Sequence, residues 1–291
     1  MTRALQFSIV TVVRNDAVGF AATAASLRQQ RGAGWEWLVV DGASTDGTVD
    51  LVRKEETRIA WWVSEPDQGV YDAMNKGLAA AGGDYVIFLN AGDILFGAHA
   101  LAQCGRVIRA CSTRPAMVFA DTVYRYASGR RLWRSARPLD SCLWHRMPST
   151  HQATAFRRDL HQFVPYDLSF RVCADYDVIC RVHACDPTHA YLPRPFAVMV
   201  KGGRSISHRR ALRRLVEATR VQRHTLGSGR HLIAASALRR SASIVAEYLL
   251  AHEHRVLGRG IEQAHPAAPR PSPSQARRWL PSRIRQRGCR A

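Results

Sequence analysis

An α/β fold, with a mainly parallel sheet flanked by helices, is what the sequence predicts. Three observations carry that prediction. Short apolar runs rich in β-branched and aromatic residues recur at 7–13 (FSIVTVV), 35–40 (WEWLVV), 59–63 and 85–89 (YVIFL). Helix-compatible stretches lie between them at 17–30, 48–56 and 70–81. The units repeat every ~15–30 residues, the spacing of strand–helix–strand crossovers in a parallel sheet.

Each element has a local reason. The strand at 7–13 runs into Arg14, Asn15 and Asp16, and the helix at 17–30 is closed by Gly32 and Gly34. The strand at 35–40 ends at Asp41. The loop GASTDGT then offers Thr45 or Asp46 as the cap of the helix at 48–56. The strand at 59–63 leads through a loop at 65–69 to the helix at 70–81, which Gly82 and Gly83 stop. The strand at 85–89 gives way to Asn90, Ala91, Gly92 and Asp93. Past Asp93 the pattern loosens. A helix is expected at 99–111, a strand at 116–120, a hairpin over 124–132 around the turn ASGR, and a short helix at 175–183. Residues 206–258 read as helical and rich in arginine. From Pro266 the chain is rich in Pro, Ser and Arg and is expected to be disordered.

The 291 residues are 46% hydrophobic, as in globular chains. The formal charge of +19 is unevenly placed. Residues 1–100 carry 8 Lys and Arg against 12 Asp and Glu, whereas residues 101–291 carry 34 against 11. An acidic first part and a strongly basic remainder point to an anionic partner. The seven cysteines are odd in number and lack paired spacing, so free thiols are expected. No signal-like start and no run of 18 apolar residues is found, so a cytosolic protein without a spanning helix is expected.

In an open parallel sheet, ligands bind where the strands end at their carboxyl side. That edge collects Thr11 and Asn15 after the first strand, Asp41 after the second, Glu65 and Asp67 after the third, and Asp93 after the fourth. Acids gathered at one rim repel one another unless a cation or a neutralising ligand sits among them.

The fragments FSIVTVVRN, LVVDGASTDGT, SEPDQGVYDAMNKGLAAAGGDYVIFLNAGD and ADYD resemble successive signatures of the family 2 glycosyltransferases. The resemblance spans about residues 5 to 206 and points to the subgroup acting in bacterial polysaccharide or glycolipid biosynthesis. It implies a GT-A type fold, a nucleotide-diphospho-sugar donor, a divalent cation (Mg²⁺ or Mn²⁺), and transfer with inversion. On that basis residues 1–205 form the transferase domain, with a nucleotide-binding half over 5–93 and an acceptor half over 94–205. A helical basic extension covers 206–265, and the tail covers 266–291.

The resemblance also implies roles. Asp41 stands where a carboxylate meets the nucleobase or groups near it. Thr11, Asn15, Asp67, Asn75 and Lys76 fall near the donor, with Lys76 opposing diphosphate charge. Asp72, Asn75 and Lys76 share one helical face by spacing, which is equally the pattern of a solvated stripe. The family's DXD metal motif reads Asn90-Ala91-Gly92-Asp93 here, with an amide first and one residue more. Asp93 is then the metal ligand, Asn90 touches ribose or supports the turn, and Gly92 gives the diphosphate room. Asp175 matches the catalytic base, with Ala174 where the family has Glu. Asp177 is suited to pair with Arg181 at i+4. His151, in HQATAFRR, is expected at the donor or acceptor, and Arg204, in KGGRSIS, on a loop over the phosphates. Cys180, His183, Cys185 and His189 lack the paired spacing of a structural zinc site.

Residues 201–291 carry 20 Lys and Arg against 4 Asp and Glu. Within them Leu212, Leu215, Val216 and Val221 fall roughly on one side of a helix ringed by arginines. A solvated face has that pattern, and so does an interfacial helix on anionic lipid, which suits a lipid-linked or glycan acceptor. Nucleic acid is disfavoured, because no aromatics interleave the basic residues. Two other readings remain at this level. A sugar-nucleotide nucleotidyltransferase would carry a Gly-rich basic loop after the first strand, which TVVRNDAVGF does not show. A non-catalytic basic binding module is the other, given Asn90 and Ala174.

Overall fold

Strand β1 (Gln6–Val13) is the axis of the molecule, with parallel neighbours on both sides. β2 (Gly34–Asp41) lies on one flank and β4 (Tyr85–Phe88) on the other, and β3 (Trp61–Ser64) extends the sheet beyond β2. This is a computed structural model, describing residues 5–126, 129–201, 208–224, 231 and 233–242. All of these lie in one unit, Met1–Ala246. The crossovers are α1 (Ala17–Arg28), α2 (Thr48–Lys54) and α3 (Val70–Ala80).

Both faces of the sheet are covered, so β1 is apolar on both sides. Phe7, Ile9 and Val13 join Phe20, Leu27 and Trp37 in one core cluster. Val10 and Val12 join Tyr71, Met74 and Leu78 of α3 in the other. Gly77 makes that second contact possible, since a Cβ there would lie 2.3 Å from Val10 Cγ1.

The second half of the sheet mixes directions. After β5 (Ile94–Leu95) and α4 (Ala100–Ala110) comes the long β6 (Met117–Tyr126), then β7 (Arg131–Arg134) and the short α5 (Leu139–Cys142). A 3₁₀ turn at His151–Ala153 leads into β8 (Thr154–Arg157), α6 (Arg158–Phe163), α7 (Ala174–Cys185), β9 (His189–Lys201) and α8 (His208–His224). The strand order is β3-β2-β1-β4-β8-β6-β9-β5, with β7 paired to β6. β8 is antiparallel to both β4 and β6, so it joins the parallel half to the rest.

Four differences from the expected elements have physical causes. Ile59 is apolar and buried, but it closes a 3₁₀ turn at Glu56–Arg58, so β3 begins later. The expected strand at 116–120 and the first arm of the hairpin are one ten-residue strand, β6. β9 contains Pro193 and Pro195, which argue against a strand in the sequence. They are tolerated where the β6–β9 register slips, from Ala120↔Leu192 to Asp121↔Pro195 to Thr122↔Ala197. The cap of α2 is Gly47, while Asp46 beside it accepts from the Thr48 amide at 3.1 Å.

α8 corrects a further expectation, that Leu212, Leu215, Val216 and Val221 share one side. Val221 and Ala218 are buried in the core, whereas Leu212 and Val216 stand 65% and 62% exposed. The helix is anchored by Glu217, which is 8% exposed. Its carboxylate accepts from the amides of Arg171 (3.0 Å), Val172 (2.8 Å) and Cys173 (3.0 Å), the three residues leading into α7. The loop expected around Arg204 and the tail from Pro266 lie outside the described residues. Among the described residues, six cysteines are free thiols and no helix is long and apolar enough to cross a membrane.

Glu217→Ala removes three charge-assisted hydrogen bonds from the amides leading into α7. It is expected to lower unfolding free energy by about 2–3 kcal/mol, read as a lower urea midpoint at unchanged m-value.

Candidate active site

The strand order reverses at β1, and the polar residues gather at its carboxyl end. Past β4 the backbone still follows β1, with Leu89 N donating to Val10 O at 2.9 Å and Ala91 N to Val12 O at 3.1 Å. The chain then turns, with Asp93 N donating to Asn90 O at 3.0 Å. Gly92 takes φ +89°, a left-handed value that favours glycine. Thr23 of α1 bolts the turn down. Its hydroxyl donates to Asp93 O at 2.7 Å and accepts from Gly92 N at 3.1 Å.

Asp93 is 8% exposed, and one of its oxygens accepts from Gln152 Nε2 at 2.7 Å. Burial pushes its pKa up to about 6, against the opposing pull of the Gln152 bond and of His151. Two buried oxygens nearby, Asn90 Oδ1 and Gln152 Oε1, have no hydrogen-bond partner among the described residues. Unpaired buried acceptors are costly and suit a site built to receive something electropositive. Among the described residues no three His, Cys, Asp or Glu side chains gather into a metal cluster. A cation here would draw on Asp93 and amide oxygens, with further oxygens coming from a ligand.

Asp175 lies in the first turn of α7. Its Oδ1 accepts from Tyr176 N at 2.9 Å, and its Oδ2 lies 3.4 Å from His151 Nδ1. The far nitrogen of that ring, Nε2, lies 3.3 Å from Asn90 Nδ2. Asn90, His151 and Asp175, from three separate elements, therefore form one chain of contacts. Asp177 pairs with Arg181 at 2.6 Å, the i,i+4 contact its spacing implies.

The other expected site residues divide into two groups. Around the rim, Asn15 (φ 50°) accepts from Thr45 N at 2.8 Å, tying the loops after β1 and β2 together. Asp41 is fully buried and accepts from Ser44 N at 2.9 Å and Ser64 Oγ at 2.7 Å. Asp67 accepts from Gly69 N at 2.8 Å. Lys76 reaches back to Glu65 Oε1 at 2.6 Å and Pro66 O at 3.1 Å, and the Glu65 bond raises its pKa. The structure does not bring the other two to the rim. Thr11 is buried inside the layer, where its hydroxyl accepts from Trp37 Nε1 at 2.9 Å. Asn75 clamps α3 to the loop before α7 through two 2.9 Å bonds with the Tyr166 backbone. Arg204 is outside the described residues. Gln152 and Thr23 were not anticipated. The one signal for Gln152 is a polar pair, His-Gln, set against the apolar run ATAF.

The sequence profile described as "Glycosyl transferase family 2" matches residues 8–175, more than half of the chain. The chain belongs to that family. A "PGL/p-HBAD biosynthesis glycosyltransferase" of Mycobacterium tuberculosis is 34% identical over 226 residues, covering 74% of this chain and 86% of the relative. An "O-antigen biosynthesis protein" of Myxococcus xanthus is 34% identical over 136 residues, 45% of this chain and 10% of that one. Among solved structures, S. aureus TarS 1-349 in complex with UDP-GlcNAc superposes with TM-score 0.64 at 16% identity, covering 82% and 73% of the two chains. A mannosyltransferase from Pyrobaculum calidifontis, in complex with GDP-Man and Mn²⁺, gives 0.60 at 20% identity, covering 88% and 81%. The fold is GT-A type, and this glycosyltransferase is an enzyme, as its motifs imply.

The buried carboxylate of this glycosyltransferase should cost it stability. A folded pKa of about 6, raised from 3.8, means the native state holds the proton more tightly than the unfolded chain. The penalty is absent below pH 3.8 and grows as pH rises to about 6. Asp93→Asn, without nucleotide or metal, should therefore gain about 1–3 kcal/mol at pH 7.5 and little at pH 4. Equal effects at both pH values in urea titrations would contradict this.

Proposed function

We propose that the enzyme moves a sugar from a nucleotide-diphospho-sugar to a hydroxyl of a lipid-linked or glycan acceptor, with inversion, and that Asp175 is the base. The observation that carries this is the contact chain from Asn90 through His151 to Asp175. It sets one carboxylate beside the strand-end turn that holds another, Asp93. The names of the relatives, in PGL and O-antigen biosynthesis, support a glycolipid or polysaccharide acceptor. The nucleotide sugars bound by the structural neighbours support the donor class.

In this reading the donor's diphosphate lies over the Asn90–Asp93 turn, where Gly92 presents no side chain. Asn15, Asp41, Asp67 and Lys76 stand around the nucleoside and phosphate ends. The acceptor hydroxyl meets the Asp175 carboxylate, which takes its proton as the oxygen attacks C1 of the sugar. The C1–oxygen bond to the diphosphate breaks with its electron pair, and a nucleoside diphosphate leaves from the opposite face. One displacement of this kind inverts C1. Asp93 and the unpartnered Asn90 Oδ1 are the oxygens suited to Mg²⁺ or Mn²⁺, with diphosphate and water completing the shell. Bound there, the cation would neutralise charge on the leaving diphosphate.

The enzyme is further proposed to work in the cytoplasm, peripherally at the inner face of the membrane. Leu212 and Val216, exposed on consecutive turns of an arginine-rich helix, support that placement. Stronger co-sedimentation with vesicles containing anionic lipid than with neutral ones is expected, and should fall at high salt. Equal retention on both vesicles would remove the proposal.

The central test is a panel of UDP, GDP and dTDP sugars, read by nucleotide release and by thermal shift with and without Mn²⁺. One base should stabilise the protein in a metal-dependent way. Asp175→Asn should lower kcat by about 10²–10⁴-fold while nucleotide binding stays intact. Normal turnover by that variant would remove Asp175 as the base.

A further inference from the structure

We propose that His151 and Gln152 are positioning residues: one 3₁₀ turn that sets the base and the donor-side carboxylate at a fixed separation. This rests on the reading of Asp175 as the base, and it adds the device that holds the two acids in register.

The turn is suited to the task because it is stiff. Ala153 N closes it onto Thr150 O at 3.0 Å, and Thr154 Oγ1 donates to the same carbonyl at 2.8 Å. Thr150 Oγ1 is in turn 2.8 Å from Thr122 Oγ1 on β6. Gln152 and Ala153 are 2% and 1% exposed, and β8 follows at once. The turn is thus built into the sheet at the strand that pairs with both β4 and β6.

Its two consecutive side chains serve different acids. Gln152 Nε2 donates to Asp93 Oδ2 at 2.7 Å. His151 faces Asp175, and its proton inventory follows from Asn90. An amide Nδ2 only donates, so His151 Nε2, 3.3 Å away, accepts. The ring proton then sits on Nδ1 and points at Asp175 Oδ2, 3.4 Å away. With Oδ1 held by Tyr176 N, the Asp175 carboxylate is fixed at both oxygens. Each oxygen keeps a further lone pair for the acceptor's proton. His151 therefore orients the base and need not accept the proton itself. Gln152 does the same for the acid beside the diphosphate.

The test compares isosteric substitutions, each checked by thermal melting. His151→Asn keeps an N–H close to the Nδ1 position, and His151→Gln moves its amide out toward the Nε2 position. His151→Phe has neither. Expected is a kcat about 10–100-fold lower for His151→Phe and His151→Gln, with donor KM within about twofold, and substantial recovery in His151→Asn. Gln152→Leu should instead weaken nucleoside-diphosphate binding by about tenfold. In an Asp175→Asn background, His151→Phe should add no further loss. The proposal is overturned if His151→Asn and His151→Gln are equally impaired, if both turn over normally, or if the loss lies in KM alone. Should His151→Phe not fold, the Asn and Gln pair decides the matter. An inactive Asp175→Asn with normal His151 variants removes only the positioning role. A normal Asp175→Asn removes the base assignment beneath it.

Discussion

The structure depends on the position of β1, hydrogen-bonded in parallel to β2 on one side and β4 on the other. Because β4 returns to the opposite flank from β2, the strand order reverses at β1, the place where open parallel sheets receive ligands. The Asn90–Asp93 turn lies at that place, held on one side by Thr23 of α1 and on the other by Gln152. Without β1 buried between two neighbours, neither carboxylate would have a fixed place.

The site is expensive for the fold. A nearly buried acid whose pKa is pushed up to about 6, and two buried oxygens without hydrogen-bond partners among the described residues, are features that folding alone would remove. Elsewhere the buried acids are satisfied: Asp41 by Ser44 and Ser64, Glu217 by three backbone amides. The contrast sets Asp93, whose pKa burial raises, apart from buried acids whose oxygens neighbouring hydroxyls and amides satisfy.

The basic end of the chain takes part in this arrangement. α8 is charged outward but inserts Ala218 and Val221 into the core, and Glu217 gathers the amides just before α7. Asp175 therefore stands on a helix whose entry is held by a carboxylate more than forty residues further on. The same helix leaves Leu212 and Val216 exposed on the face turned away from the core.

The sequence by itself determined the parallel half of the sheet, because β1, β2 and β4 each carry a mostly apolar, largely buried run of β-branched and aromatic residues. It also marked Asp93, just past the end of β4, and Asp175, in the first turn of α7, as candidate acids. What it left open depends on contacts distant along the chain. Thr11 was placed at the rim by its position on the first strand and Asn75 by the resemblance, but their partners, Trp37 and Tyr166, are 26 and 91 residues away. β9 was hidden because its prolines are acceptable only against a slipped register on β6. The resemblance implied a site role for Asn90, His151 and Asp175 each, but their contacts with one another had no trace in the spacing. A hydrogen bond is set by position in space, and only the packing of β8 between β4 and β6 put those three side chains within reach of one another.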